Sequence, residues 1–168
     1  MTFAEGGVPF ICGGVYYDGD YYDSDLCFKY VPSSDEWVVS GVMSEAKSEM
    51  GYGSSESWGL VMAGGDNGGP LLSSSVETTA DGIIFENLPD LEVEVSGSCV
   101  VVIDDDRIFT SGGYHDPGLR RDSYIFSRTN NSWSRYNLFC DRFLLNIIET
   151  LSLFQHGKYA ISFWWFIW

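Results

Sequence analysis

Residues 98–113 read Ser-Cys-Val-Val-Val-Ile-Asp-Asp-Asp-Arg-Ile-Phe-Thr-Ser-Gly-Gly, and their reading decides the fold. Ser98 to Ile103 is rich in β-branched residues, Asp104-Asp105-Asp106 supplies a turn, and Arg107 to Ser111 forms a second run that stops at Gly112-Gly113. Two apolar runs joined by a tight polar turn predict antiparallel strands. The same ending recurs upstream, where Val8 to Cys12 runs into Gly13-Gly14 and Trp58 to Ala63 into Gly64-Gly65. The glycine pairs lie 51 and then 48 residues apart, long enough for one supersecondary unit per copy.

A second periodic signal follows each pair. Trp37, Phe85 and Trp133 stand at two equal intervals of 48, as expected if one bulky ring fills the same core slot in each unit. Aligning on these rings superposes Phe28-Lys29-Tyr30, Val76-Glu77-Thr78 and Tyr124-Ile125-Phe126, three stretches that predict a third strand. Turn-rich segments (Pro32 to Asp35, Ala80-Asp81-Gly82 and Thr129 to Asn131) join that strand to a fourth, which carries the ring. Four antiparallel strands per ~50 residues describe a propeller blade, so the expected fold is all-β. The expected units are about 8–40, 51–88 and 98–138 within a repeat region 1–138.

In these features the chain resembles the kelch-repeat family. The resemblance rests on Ile11-Cys12-Gly13-Gly14 with Tyr30 and Trp37, on Val61-Met62-Ala63-Gly64-Gly65 with Phe85, and on Ile108 to Gly113 with Tyr124 and Trp133. The middle unit departs most, having Thr78 and Phe85 where the family carries Tyr and Trp. Propellers close with about 4–8 blades, so three units imply a partial propeller and a fragment or truncated form of a longer kelch protein. The first unit is expected to lack its first strand. Residues 139–168 are not kelch-like: Phe143, Leu144, Ile147, Ile148, Leu151 and Phe154 follow helical spacing, which predicts a helix over 141–154.

The doubled glycines (Gly13, Gly14, Gly64, Gly65, Gly112 and Gly113) are structural, because a strand that ends abruptly near a crowded axis needs positive φ or backbone approach without a Cβ. Cys12 and Cys27 fall on neighbouring antiparallel strands, where they form either a cross-strand disulfide or two reduced, small apolar side chains. The positions taken as equivalent, Ala63 with Ser75 and Ser111 with Ser123, are small in both cases. Asn130-Asn131-Ser132 is a glycosylation sequon on an exposed turn, and with a disulfide it leans toward an extracellular location although no signal peptide is visible.

Charge narrows the partners. With 24 acidic against 9 basic residues, a net charge of −15 disfavours nucleic acid and anionic membranes. No apolar tract reaches the ~20 residues of a membrane span. The four cysteines, His115 and His156 show no paired ligand spacing, so no metal or other cofactor is expected. Asp18, Asp20, Asp23 and Asp25 read as a solvated acidic loop, and no nucleophile with a positioned base stands out.

The resemblance therefore implies a non-enzymatic binding module that presents blade loops to a protein or glycan. The candidate residues lie between second and third strands: Tyr16, Tyr17, Tyr21 and Tyr22 in the first unit, Asp66 and Asn67 in the second, and Tyr114, His115, Arg120 and Arg121 in the third. Alternatives within the family are a substrate adaptor of an intracellular ubiquitin ligase and a fragment of a galactose-oxidase-like or sialic-acid-isomerising enzyme. Unsatisfied sheet edges also suggest edge-to-edge self-association.

Overall fold

The computed structural model describes residues 2–3, 8–69 and 72–136, and among them there is no helix and so none long and apolar enough to cross a membrane. Sixteen strands follow one another: β1 Thr2–Phe3, β2 Pro9–Cys12, β3 Val15–Tyr17, β4 Tyr21–Asp23, β5 Leu26–Val31, β6 Glu36–Val42, β7 Gly51–Ser55, β8 Gly59–Gly65, β9 Ser73–Thr79, β10 Glu86–Leu88, β11 Cys99–Val102, β12 Arg107–Ser111, β13 Tyr114–His115, β14 Gly118–Leu119, β15 Ser123–Ser127 and β16 Ser132–Tyr136. They build three four-stranded antiparallel sheets of one strand order, β1-β2-β5-β6, β7-β8-β9-β10 and β11-β12-β15-β16, none closed on itself. Two small hairpins, β3–β4 and β13–β14, branch off after the glycine pairs.

Because side chains alternate along a strand, the second sheet has two apolar faces and serves two cores. Leu60 and Met62 of β8 point to one side, where they are buried with Phe10, Cys12 and Cys27 of the first sheet and with the partly buried Phe85. Val61, Ala63 and Val76 point to the other side, where they meet Val100, Ile108, Tyr124, Phe126 and Trp133 of the third sheet. Close approach is built into the backbone: a Cβ on Gly41 would lie 2.4 Å from the Gly82 carbonyl oxygen, and one on Gly51 2.5 Å from Ser98 Oγ. Trp58 seals the second junction. Its ring meets Phe126 edge-on at 5.9 Å, Arg128 lies 3.5 Å over its face, and its N–H donates to the Asp104 carbonyl at 2.9 Å.

The double glycines combine two demands. Gly64 has φ +66°, and a Cβ there would lie 2.1 Å from the Val95 carbonyl oxygen, because the adjoining Gly65 N–H donates to that oxygen at 2.8 Å. Gly14 makes the same bond to Lys47 at 3.0 Å, so in both units the glycine pair docks on the segment leading to the next sheet.

Four expectations change. The first unit does have a first strand, the two-residue β1, paired Thr2 with Phe10. Register in the second unit is shifted: Ala63 faces Val76, not Ser75, because an irregularity between Ala63 and Gly65 absorbs a residue, whereas Cys12 faces Cys27 and Ser111 faces Ser123 as expected. The rings of period 48 do not share one environment. Trp133 is 9 % exposed but Trp37 is 42 % exposed, since the face of the first sheet that carries it has no sheet against it among the described residues. The loops after the first and third glycine pairs are themselves hairpins. The expected helix over 141–154 lies outside the described residues.

Candidate functional site

Each unit releases its chain between the second and third strands, and the glycine turn fixes where. Gly13 N–H donates to the Leu26 carbonyl at 3.0 Å and Gly112 N–H to Asp122 at 3.1 Å, closing the base of the β3–β4 and β13–β14 segments. In the first, Tyr16 pairs with Tyr22 and Tyr17 with Tyr21 across the ladder. Alternation sends the two pairs to opposite faces: Tyr16 and Tyr22 stack at 5.6 Å, and Tyr17 and Tyr21 meet edge-on at 5.2 Å. All four are exposed, Tyr21 most at 75 %. Asp20 caps the tip by accepting the Tyr21 N–H at 2.8 Å, and Asp18 and Asp20 are both exposed.

The second loop is polar and tied down. Asp66 and Ser48 exchange backbone hydrogen bonds, Gly68 N–H donates to Asp66 Oδ1, and Asn67 Nδ2 donates to Glu45 Oε1 at 2.8 Å. Glu45 also accepts from Ser73 Oγ and Ser75 Oγ. Partial burial pushes its carboxyl upward, but the bonds from Asn67, Ser73 and Ser75 and the charge of Lys47 outweigh this and hold it below the usual glutamate value.

Beside it lies a feature that the sequence reading missed. Lys47 and Glu77 are both fully buried, with Nζ 3.2 Å from Glu77 Oε1 at an angle that makes an ion pair without an aligned hydrogen bond. Lys47 Nζ donates instead to Ser75 Oγ at 2.5 Å, and Glu77 Oε2 accepts the Ser44 N–H at 3.0 Å. A lone Glu in the run Ser73 to Thr79 was the available signal: it takes the strand position that Phe28 and Tyr124 take in the other sheets, and an ion there needs a partner.

In the third unit Tyr114 exchanges backbone bonds with Ser96, His115 Nδ1 lies 2.8 Å from the Glu94 carbonyl oxygen, and a cis Asp116–Pro117 bond turns the hairpin. Arg120 is engaged rather than free, its Nε 3.3 Å from Asp122 Oδ2, and Arg135 shares that carboxylate. Arg121 is exposed. The three loops thus differ chemically: the first is aromatic and acidic, the second carries Asp66 and Asn67 beside two glycines, and the third sets Arg120 and Arg121 against Asp116 and Asp122.

Cys12 and Cys27 form a disulfide, buried toward the second sheet, while Cys99 is exposed and carries a free thiol whose pKa partial desolvation pushes up. Cys140 lies outside the described residues. Asn130 is exposed in the turn before β16. Among the described residues no group of three or more His, Cys, Asp or Glu is placed to hold a metal ion. The sequence matches no family model and no curated protein.

Proposed function

We propose that the chain is a binding module on a partial propeller of the kelch type, a fragment or truncated form of a longer kelch protein, that presents its post-glycine loops to a protein or glycan. The repeated strand order of the three sheets and the repeated docking of Gly14 on Lys47 and Gly65 on Val95 support the propeller reading. Binding rests chiefly on one observation, the β3–β4 hairpin with a tyrosine pair on each face and all four rings exposed. Rigid amphipathic rings give contact area at low entropic cost, and isolated hairpins of this kind add nothing to a core. The disulfide is consistent with an oxidising, extracellular setting.

Screening the folded chain on glycan and peptide arrays beside Tyr17→Ser/Tyr21→Ser tests this. The expected result is a reproducible ligand class whose signal falls at least tenfold in the variant. No ligand on either array, or ligands that the variant holds equally well, would overturn it.

A further inference from the structure

Residues 13–28 carry four tyrosines and four aspartates and no Lys, Arg or His. The register of β3 and β4 puts Tyr17, Tyr21 and Asp23 on one face of the hairpin and Tyr16 and Tyr22 on the other. Tyr21 is 75 % exposed and Tyr17 68 %, and none of the four phenol hydroxyls makes a hydrogen bond among the described residues.

Elsewhere among the described residues the phenols are engaged, covered or differently surrounded. Tyr30 donates to Asp35 Oδ1 and Tyr52 to the Cys12 carbonyl, Tyr124 is buried, and Tyr136 rests against Phe109. Tyr114 is open at 44 %, but its hairpin is bracketed by His115, Arg120 and Arg121.

The local fold lifts Tyr21 into reach of another protein. Gly13 N–H donates to the Leu26 carbonyl and Ser24 N–H to the Gly14 carbonyl at 2.8 Å, which fixes the base of the hairpin, and every residue from Val15 to Tyr22 is exposed. Asp20 accepts the Tyr21 N–H, so one carboxylate is held beside the ring's own backbone, with Asp18 exposed across the turn. Asp23 belongs to the same face but lies against Gly68 of the second loop. Lys47, the lysine nearest in the chain beyond Lys29, is fully buried against Glu77 and leaves these charges unanswered.

We propose that Tyr21 is a site of O-sulfation, taking a sulfuryl group from a nucleotide phosphosulfate in the active site of a tyrosine-directed sulfotransferase. In the step, Tyr21 Oη attacks sulfur, the Oη–S bond forms as the S–O bond to the nucleotide phosphate breaks, the phosphate leaves with the electron pair, and the phenolic proton passes to a base of the transferase. An enzyme that holds so anionic a donor is basic around its reacting centre, and exposed carboxylates beside an open phenol steer the hairpin into it. The Cys12–Cys27 bond, which belongs in an oxidising compartment, favours sulfuryl transfer over cytosolic phosphoryl transfer. The inference goes beyond the binding reading and does not need it.

Incubating the purified, folded chain with a tyrosylprotein sulfotransferase and an adenosine phosphosulfate donor tests this, with the modified residue located by mass spectrometry. Sulfate is expected on Tyr21 and not on Tyr114, and is expected to be lost from this position in Tyr21→Phe. In Asp18→Asn/Asp20→Asn, whose amide oxygen still accepts the Tyr21 N–H, the initial rate is expected to fall at least about tenfold. A chain that takes no sulfate at Tyr21, one that takes it equally at Tyr114, or an unaffected rate in the Asp variant would each overturn the inference. The array signal is read on the unsulfated chain, so either result can fail while the other stands.

Discussion

The indole N–H of Trp133 donates to the carbonyl of Pro89 across 2.7 Å, latching the third sheet to the segment that leaves the second. The ring also packs on Phe126 at 5.3 Å and is 9 % exposed, whereas its repeat counterpart Trp37 packs on Tyr30 at 5.6 Å and is 42 % exposed. Trp133→Phe is expected to cost about 1–2 kcal/mol, the price of an unmatched carbonyl, and Trp133→Ala about 3–5 kcal/mol. Trp37→Ala is expected to cost under about 1 kcal/mol. Urea unfolding of the three variants checks this, and similar losses at Trp37 and Trp133 would show that the first ring does have a covered face.

The doubled glycines separate backbone conformation from crowding. Gly112 has φ +72° but its nearest neighbour to an added Cβ is 3.9 Å away, so Gly112→Ala is expected to lose about 1–2 kcal/mol from the left-handed backbone alone. At Gly64 the same φ is joined by a carbonyl oxygen 2.1 Å from the methyl, and Gly64→Ala is expected to cost about 3–5 kcal/mol. Equal midpoints for the two variants in chemical denaturation would mean that the Val95 segment yields freely.

These contrasts mark what was legible. Period and turn chemistry placed the second, third and fourth strands of each sheet and the first strand of the third, because Gly-Gly, Asp-rich turns and β-branched runs act locally, whereas β1 was not foreseen. Register in β9 was not legible: a slip of one residue depends on the irregularity beside Gly64, a backbone event with no local signature. Nor was the environment of Trp37, which depends on whether a sheet lies against it and not on the ring. The tyrosine hairpin could be named from Tyr16, Tyr17, Tyr21 and Tyr22, yet the pairing of Tyr16 with Tyr22 on one face and Tyr17 with Tyr21 on the other could not, since it follows from the register of the β3–β4 ladder.

Glu45 sets an acid limit. Its folded value lies below the ordinary one, so its contacts stabilise the fold above the unfolded value of about 4.3 and that contribution is lost as pH falls through the lower folded value. Melting temperatures between pH 6 and pH 3 should therefore fall less steeply for Glu45→Gln than for the parent chain. An unchanged slope would place the acid sensitivity on other carboxylates, such as Asp104, which its hydrogen bond from Arg107 also holds low.

Lys47 and Glu77 should behave as a unit. Lys47→Met leaves a carboxylate at zero exposure beside a lone backbone donor, Ser44 N–H, and is expected to cost about 3–5 kcal/mol. Lys47→Met/Glu77→Gln keeps an acceptor for Ser44 without the orphaned charge, and should recover about 1–3 kcal/mol of that loss. A double-mutant cycle in urea reads the coupling; simple additivity would mean that the two charges are solvated separately.

The Cys12–Cys27 bond closes a loop of sequence separation 15, for which chain entropy gives about 3 kcal/mol. Cys12→Ser/Cys27→Ser is expected to lose at least that much, because both sulfurs face the core shared with Met43, Met50 and Met62 and each serine puts a hydroxyl there. Cys12 is 6 % exposed and Cys27 fully buried, so a reductant reaches the bond only when the first sheet opens. Reduction of the native chain should accordingly be slow and should speed up in sub-denaturing urea. Immediate alkylation of both thiols in the untreated, folded protein would show that the pair is never joined, and with it would go the argument for an oxidising compartment.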